Sequence, residues 1–183
     1  MHAQPSFECA QADSAAETLI CTDESLATLD RRMADRYASA QDAVNALSSG
    51  ATQALQILKA TQRGWIKGRN ACWKSVDLHA CVVDAYLTRD AELVATWMLE
   101  EPFQVRSYSC EDNPAHEVVV FFFATDRPSL RLEYGDQVHT AWQVPAASGS
   151  KYAMQFGGLF WSKGDDAQLE WATGEAAHCL SAD

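Results

Sequence analysis

No apolar run in this 183-residue chain approaches the roughly 20 residues that a helix needs to cross a bilayer. A spanning helix is therefore not expected. Basic residues are scarce: 14 stand against 25 acids, for a net charge of −11. Phosphate backbones are held by a basic stripe, and with none present nucleic acid is excluded as a partner. No CxxC pair occurs, whereas structural zinc sites cluster their ligands tightly. The five histidines are scattered, which argues against a metal site built from them. No glycine-rich loop leads into Lys-Ser or Lys-Thr, so no phosphate cradle for a nucleotide is expected. No secretory signal is visible, and no lipobox-like stretch of small residues precedes Cys9. Met1-His2 stands ahead of what reads as a mature N-terminus, so the expectation is that a signal has been removed or replaced.

What is present describes a folded protein. Hydrophobic residues make up 48% and charged ones 21%, a globular rather than a disordered balance. The six cysteines are Cys9, Cys21, Cys72, Cys81, Cys110 and Cys179. An even number without metal-type spacing predicts disulfides formed in an oxidising compartment. The acidic surface suits a basic partner, although acidity alone also serves solubility.

The hydrophobic period changes once along the chain. Ser14-Ala15-Ala16-Glu17 is a capping-box pattern that opens a short helix. Thr22, Asp23 and Glu24 start a second, carrying Leu26, Leu29, Met33, Tyr37, Ala40 and Val44 at steps of three and four. Ser48-Ser49-Gly50 breaks the pattern. A third helix is predicted from Ala51 to about Trp73 and a fourth from about Leu78 to Leu99. Short links between them imply antiparallel packing. From Pro102 the period becomes two. Strands are predicted over 105–110, 118–123, 129–134, 137–144, 151–156 and 167–171, with turn residues at Asp126-Arg127-Pro128, Gly135-Asp136 and Lys163-Gly164-Asp165. Such a series reads as a small antiparallel barrel or sandwich. A domain boundary is expected near Glu100-Glu101-Pro102, giving residues 1–101 and 102–183.

The side chains that carry chemistry elsewhere have plainer readings here. His79 lies near Cys81 and His178 abuts Cys179, but a Cys–His nucleophile needs a free thiolate, which a disulfide removes. Glu100-Glu101, Glu111-Asp112 and Asp165-Asp166 sit at the linker or at turns, where solvated acids are commoner than acid–base pairs. Trp65, Trp73, Trp97, Trp142, Trp161 and Trp171 fit core packing better than a carbohydrate platform. Arg63, Arg69 and Arg89 fit ion pairs with Asp30, Asp35 or Asp84 better than a ligand patch. No enzyme and no cofactor are expected.

Two short motifs near the end are more specific: Ala147-Ser148-Gly149-Ser150-Lys151-Tyr152, then Phe160-Trp161-Ser162-Lys163-Gly164. Alone, Ser148 is a turn hydroxyl and Lys163 an exposed hairpin-tip charge. Together, in this order and separation, they closely resemble the membrane-bound and periplasmic inhibitors of c-type lysozyme (the MliC/PliC family). The earlier half has a resemblance of its own. Phe7-Glu8-Cys9-Ala10, Glu17, Ile20-Cys21, Leu29-Asp30, Tyr37, Gln62-Arg63-Gly64-Trp65, Arg69-Asn70-Ala71-Cys72, Cys81, Tyr86 and Arg89 look like the LprI-type N-terminal domain of bacterial envelope proteins.

These resemblances imply an α+β chain: an N-terminal disulfide-bonded helical bundle followed by a small antiparallel β-barrel. They imply a periplasmic or secreted inhibitor of c-type lysozyme, a basic protein, that protects bacterial peptidoglycan. The alternative is a non-inhibitory envelope module that binds peptidoglycan fragments or a periplasmic partner. The implied lysozyme-binding residues are Ser148, Gly149, Lys163, Lys151 and Tyr152. A c-type lysozyme works with two carboxyls facing across a cleft, one protonated and one ionised. A serine hydroxyl donates and accepts, so it suits either form. An ammonium on a long stem pairs with the ionised one. Gly149 allows close backbone approach, while Tyr152, Phe160 and Trp161 are expected to hold the loops from beneath. Gly157-Gly158 departs from the family pattern and predicts a looser hairpin between the motifs. Cys110 is expected to bridge Cys179, since a barrel brings its terminal strands together. The other four cysteines should pair within the helical half, in any of three connectivities.

Overall fold

A computed structural model describes residues 4–111 and 113–182. Met1, His2 and Asp112, and with them part of the expected N-terminus and of the Glu111-Asp112 pair, lie outside the described residues. The chain divides into two compact units, 1–90 and 91–183.

Helix α1 (Ala15–Thr22) opens with the reciprocal capping box, Ser14 accepting from the Glu17 amide and Glu17 from the Ser14 amide. Helix α2 (Glu24–Asn45) is capped by Asp23, whose carboxylate accepts from the amides of Ser25 and Leu26. Its apolar stripe is Leu26, Ala27, Met33, Ala40 and Val44, interrupted by a buried Asp30. Helix α3 (Ala51–Asn70) follows the left-handed Gly50. It ends earlier than its sequence pattern suggests, and Ala71–Lys74 tightens into a 3₁₀ turn. Helix α4 runs Leu78–Trp97. Two bridges, Cys9–Cys21 and Cys72–Cys81, join near neighbours in sequence.

One buried charge network organises the helices of the first unit. Arg69, 5% exposed, donates to Asp30, Tyr86, Glu17 and Asn70. Tyr86 in turn donates to Asp30 at 2.7 Å, and Ser6 donates twice to the other Asp30 oxygen. The expected Arg69–Asp30 ion pair is thus formed, whereas Arg63 is exposed. Buried Arg89 donates to Gln62 and Thr61.

The second unit is a closed, eight-stranded antiparallel barrel with each strand paired to the next in sequence. The strands are β1 (Gln104–Cys110), β2 (Asn113–Phe123), β3 (Ser129–Tyr134), β4 (Gln137–Val144), β5 (Ser150–Met154), β6 (Gly158–Lys163), β7 (Asp166–Trp171) and β8 (Ala176–Ser181). Alternation sends one face of each strand inward. Tyr108, Val118, Val120, Phe122, Leu130, Leu132, Tyr152, Phe160 and Leu169 fill the interior. Closure occurs where β1 meets β8, a seam of three residue pairs that includes Cys110 opposite Cys179. Those two cysteines form the third disulfide, as expected. The last turn of α4 lies on the barrel, Val94 and Ala95 packing with Phe123 and the Thr96 carbonyl accepting from Arg131 at 2.8 Å.

Two expectations are corrected. The tryptophans pack at the margin of the cores rather than within them: Trp171 lies half-buried against the barrel core and Trp65 edge-on to Tyr86, none of the six is fully buried, and Trp73 is 63% exposed. Gly157-Gly158 does not loosen its hairpin: both glycines have positive φ, and β5 stays in register with β6 from Ser150–Ser162 to Ala153–Leu159. A Cβ at Gly158 would stand 2.6 Å from the Glu170 carbonyl oxygen, so the glycine permits close approach to β7.

Candidate functional site

Both sequence motifs arrive at one rim of the barrel. Ser148 and Gly149 lie in the exposed loop between β4 and β5, and Lys163 ends β6. Because Ser150 pairs with Ser162, the loop ahead of β5 stands beside the end of β6. The approach is close enough to demand glycine. A Cβ at Gly149, with φ of 67°, would lie 2.3 Å from the Ser162 carbonyl oxygen and 3.2 Å from the Lys163 Cβ.

Each loop is tied in place. The Trp161 indole N–H donates to the Ser148 carbonyl at 2.8 Å. This locks the Ser148 loop to β6 two residues before Lys163. Lys163 itself leads into the two-residue turn Gly164-Asp165, with Lys163 opposite Asp166 and Gly164 at φ 64°. Glycine at the first turn position suits such a tight hairpin. Arg106 of β1 donates to the Gly164 carbonyl at 3.0 Å and pairs with Asp165 at 3.3 Å. The Ser181 amide of β8 donates to the Asp165 carbonyl at 2.8 Å. The lysine turn is therefore anchored from two further strands.

The five expected binding residues separate by depth. Ser148, Gly149 and Lys163 are exposed and adjacent, and Lys151 is half-buried with its Nζ 5.6 Å from the Trp161 ring centre. Tyr152 is 5% exposed and its ring meets Phe122 edge-on inside the barrel. Burial, and then neighbouring Tyr108, push its hydroxyl above the usual phenol range. Tyr152 and Phe160 lie in the barrel interior rather than at the exposed rim, while Trp161 faces outward as a half-buried tie at the surface. Arg106 carried no sequence signal beyond its place in an alternating strand. The Trp161 role was legible only as part of the motif.

The remaining chemistry-bearing groups are engaged elsewhere. All six cysteines are in disulfides. His79 contacts Asp23 at 3.2 Å and His178 contacts Asp166 at 3.1 Å. Among the described residues, no group of three or more histidine, cysteine or acidic side chains is gathered as metal ligands.

Comparison with known proteins matches each half of the chain to a separate family model. Residues 108–178 match the family model described as membrane-bound lysozyme-inhibitor of c-type lysozyme, MliC. Residues 9–93 match the one described as lysozyme inhibitor LprI. The C-terminal half therefore resembles one inhibitor family and the N-terminal half another. The chain is also similar to the lipoproteins LprI of Mycobacterium bovis and Mycobacterium tuberculosis. Each is 28% identical over 167 residues, which cover 91% of this chain and 79% of the relative.

Proposed function

We propose that this chain is an extracytoplasmic inhibitor of c-type lysozyme that docks by placing its Ser148 loop and Lys163 turn in the catalytic cleft. The observation that carries the reading is the fixed juxtaposition of these two loops on one rim, within the stretch that matches the c-type inhibitor family. Lys163 pairs with the ionised carboxylate of the cleft. Ser148 hydrogen-bonds the other carboxyl in whichever protonation state it holds. Filling the cleft excludes glycan, so inhibition needs no chemistry by the inhibitor and no cofactor. Three disulfides suit an oxidising compartment outside the cytoplasm. The descriptions of both matched families, as lysozyme inhibitors, support lysozyme as the partner.

The test is a turbidity assay of peptidoglycan lysis by c-, g- and i-type lysozymes, with titrated inhibitor. Inhibition of the c-type enzyme is expected. Ser148→Ala and Lys163→Ala should each weaken it, Lys163→Ala more, because it leaves a buried carboxylate unpaired. Truncating one partner of such a pair costs about 2–5 kcal/mol, or roughly 30- to several-thousand-fold in affinity. A double variant with unchanged inhibition and normal circular dichroism would remove both residues from the mechanism. It would leave the role of an envelope module for peptidoglycan fragments or another partner.

A further inference from the structure

The outer wall of the barrel below the two loops carries a second constellation. Pairing of β5, β6, β7 and β8 sets Lys151, Trp161, Gln168 and His178 opposite one another in a single row across four strands. Two residues nearer the rim, Lys163 faces Asp166. These rows border an open groove of about 330 Å³, lined by Trp161, Lys163, Asp166, Ala167, Gln168 and His178.

A stable protein–protein interface draws about 20–30 residues from each side. The tips of the two loops, 145–149 and 163–165, supply eight. A partner that receives them must also lie against the wall beside them, and the groove begins at Lys163 itself. Its chemistry selects what fills it. The Trp161 ring already attracts a cation, Lys151. Asp166 is 66% exposed and gives one oxygen to His178, leaving the second to a ligand. Gln168 adds an amide carbonyl on the exposed side of β7. An aromatic face, a carboxylate and a carbonyl fit a guanidinium, which is planar, weakly hydrated and able to stack while donating in a fork. Lys163, which lines the groove, and Lys151, at the Trp161 ring outside the lining, both oppose a cation in the free protein. Docking removes the opposition from the groove's own lining, because the Lys163 charge is then met by the lysozyme carboxylate.

We infer that this groove receives an arginine side chain from the lip of the lysozyme cleft, as an anchor beside the inserted loops. The inference rests on the docking reading proposed above. It makes the groove a determinant of which lysozymes bind: those with arginine at that lip are favoured.

Surface plasmon resonance with the intact chain and a c-type lysozyme tests it. Asp166→Asn and Gln168→Ala should each weaken binding by roughly 5- to 50-fold, mainly through faster dissociation, with unchanged circular dichroism. His178→Ala, which removes the internal competitor for Asp166, should not weaken it. Lysozyme whose arginines are blocked by an α-dicarbonyl reagent should bind the unaltered chain more weakly, and against it Asp166→Asn should cost nothing further. Wild-type binding by the Asp166 and Gln168 variants, with Lys163→Ala impaired, overturns the groove and leaves the docking standing. Wild-type binding by Lys163→Ala overturns both. An Asp166→Asn penalty that is equal for blocked and unblocked lysozyme excludes a guanidinium occupant and overturns the inference.

Discussion

A single indole nitrogen sets the position of Ser148, so Trp161→Phe separates the tether from the ring. The phenyl group keeps much of the apolar contact but donates nothing to the Ser148 carbonyl. Inhibition should fall roughly 3- to 10-fold in the lysis assay, while unfolding stability changes by no more than about 1.5 kcal/mol, the worth of one hydrogen bond. In the helical unit, Glu17 is the residue with the clearest acid signature. Burial alone raises its pKa, but hydrogen bonds from Asn70, Asp13 and Ser14 outweigh this and lower it from the usual 4.5 to about 2. The folded state thus holds fewer protons than the unfolded state between those values. The contribution of Glu17 is complete above about pH 4.5 and is lost as pH falls towards 2. Urea midpoints read from the helical signal should decline across that window. Glu17→Gln should flatten the decline and cost about 1–2 kcal/mol at neutral pH, through the cap and the Arg69 contact. The capping box was legible because its four residues are contiguous. Arg69 as the hub of a buried network was not, since Glu17, Asp30 and Tyr86 come from three helices other than its own.

At the level of elements, legibility followed local pattern. The four helices and the strands rich in Val, Phe, Leu and Tyr announce themselves through period and turn residues. Strand β8 does not: Ala-Ala-His-Cys-Leu-Ser has little strand propensity and only Cys179 is fully buried. Pairing with β7 and with β1 makes it a strand. Among the described residues that seam is the shortest in the barrel, so the Cys110–Cys179 bridge bears on closure more than its single bond suggests. Replacing both cysteines by alanine should lower barrel stability by about 4 kcal/mol, on the loop-entropy estimate for a bridge of this span. Denaturant unfolding followed by near-ultraviolet circular dichroism measures it. The helical signal should respond less than the barrel signal.

At the scale of the whole molecule, the change of period at Pro102 marks where helix gives way to strand, while the contact division falls at Asp90 and Ala91. The difference lies in Val94, Ala95 and Thr96, helical in sequence pattern yet packed on or bonded to strands. We propose that the inhibitory unit is contained in residues 102–183 and that the last turn of α4 braces it. Both fragments 91–183 and 102–183 should then inhibit c-type lysozyme, the longer one melting higher by several degrees. A folded but inactive 91–183 fragment would move the function to the helices. The candidate site was legible in its two exposed side chains and opaque in its means of support, because Arg106 lies far from both motifs in sequence and reaches the turn only through barrel closure. That support has a thermodynamic consequence. Loops that are already tied to β1, β6 and β8 surrender little motion when they dock. On the proposed docking, most of the ordering entropy of these loops is settled during folding, and association would lose mainly the tumbling freedom of two rigid bodies.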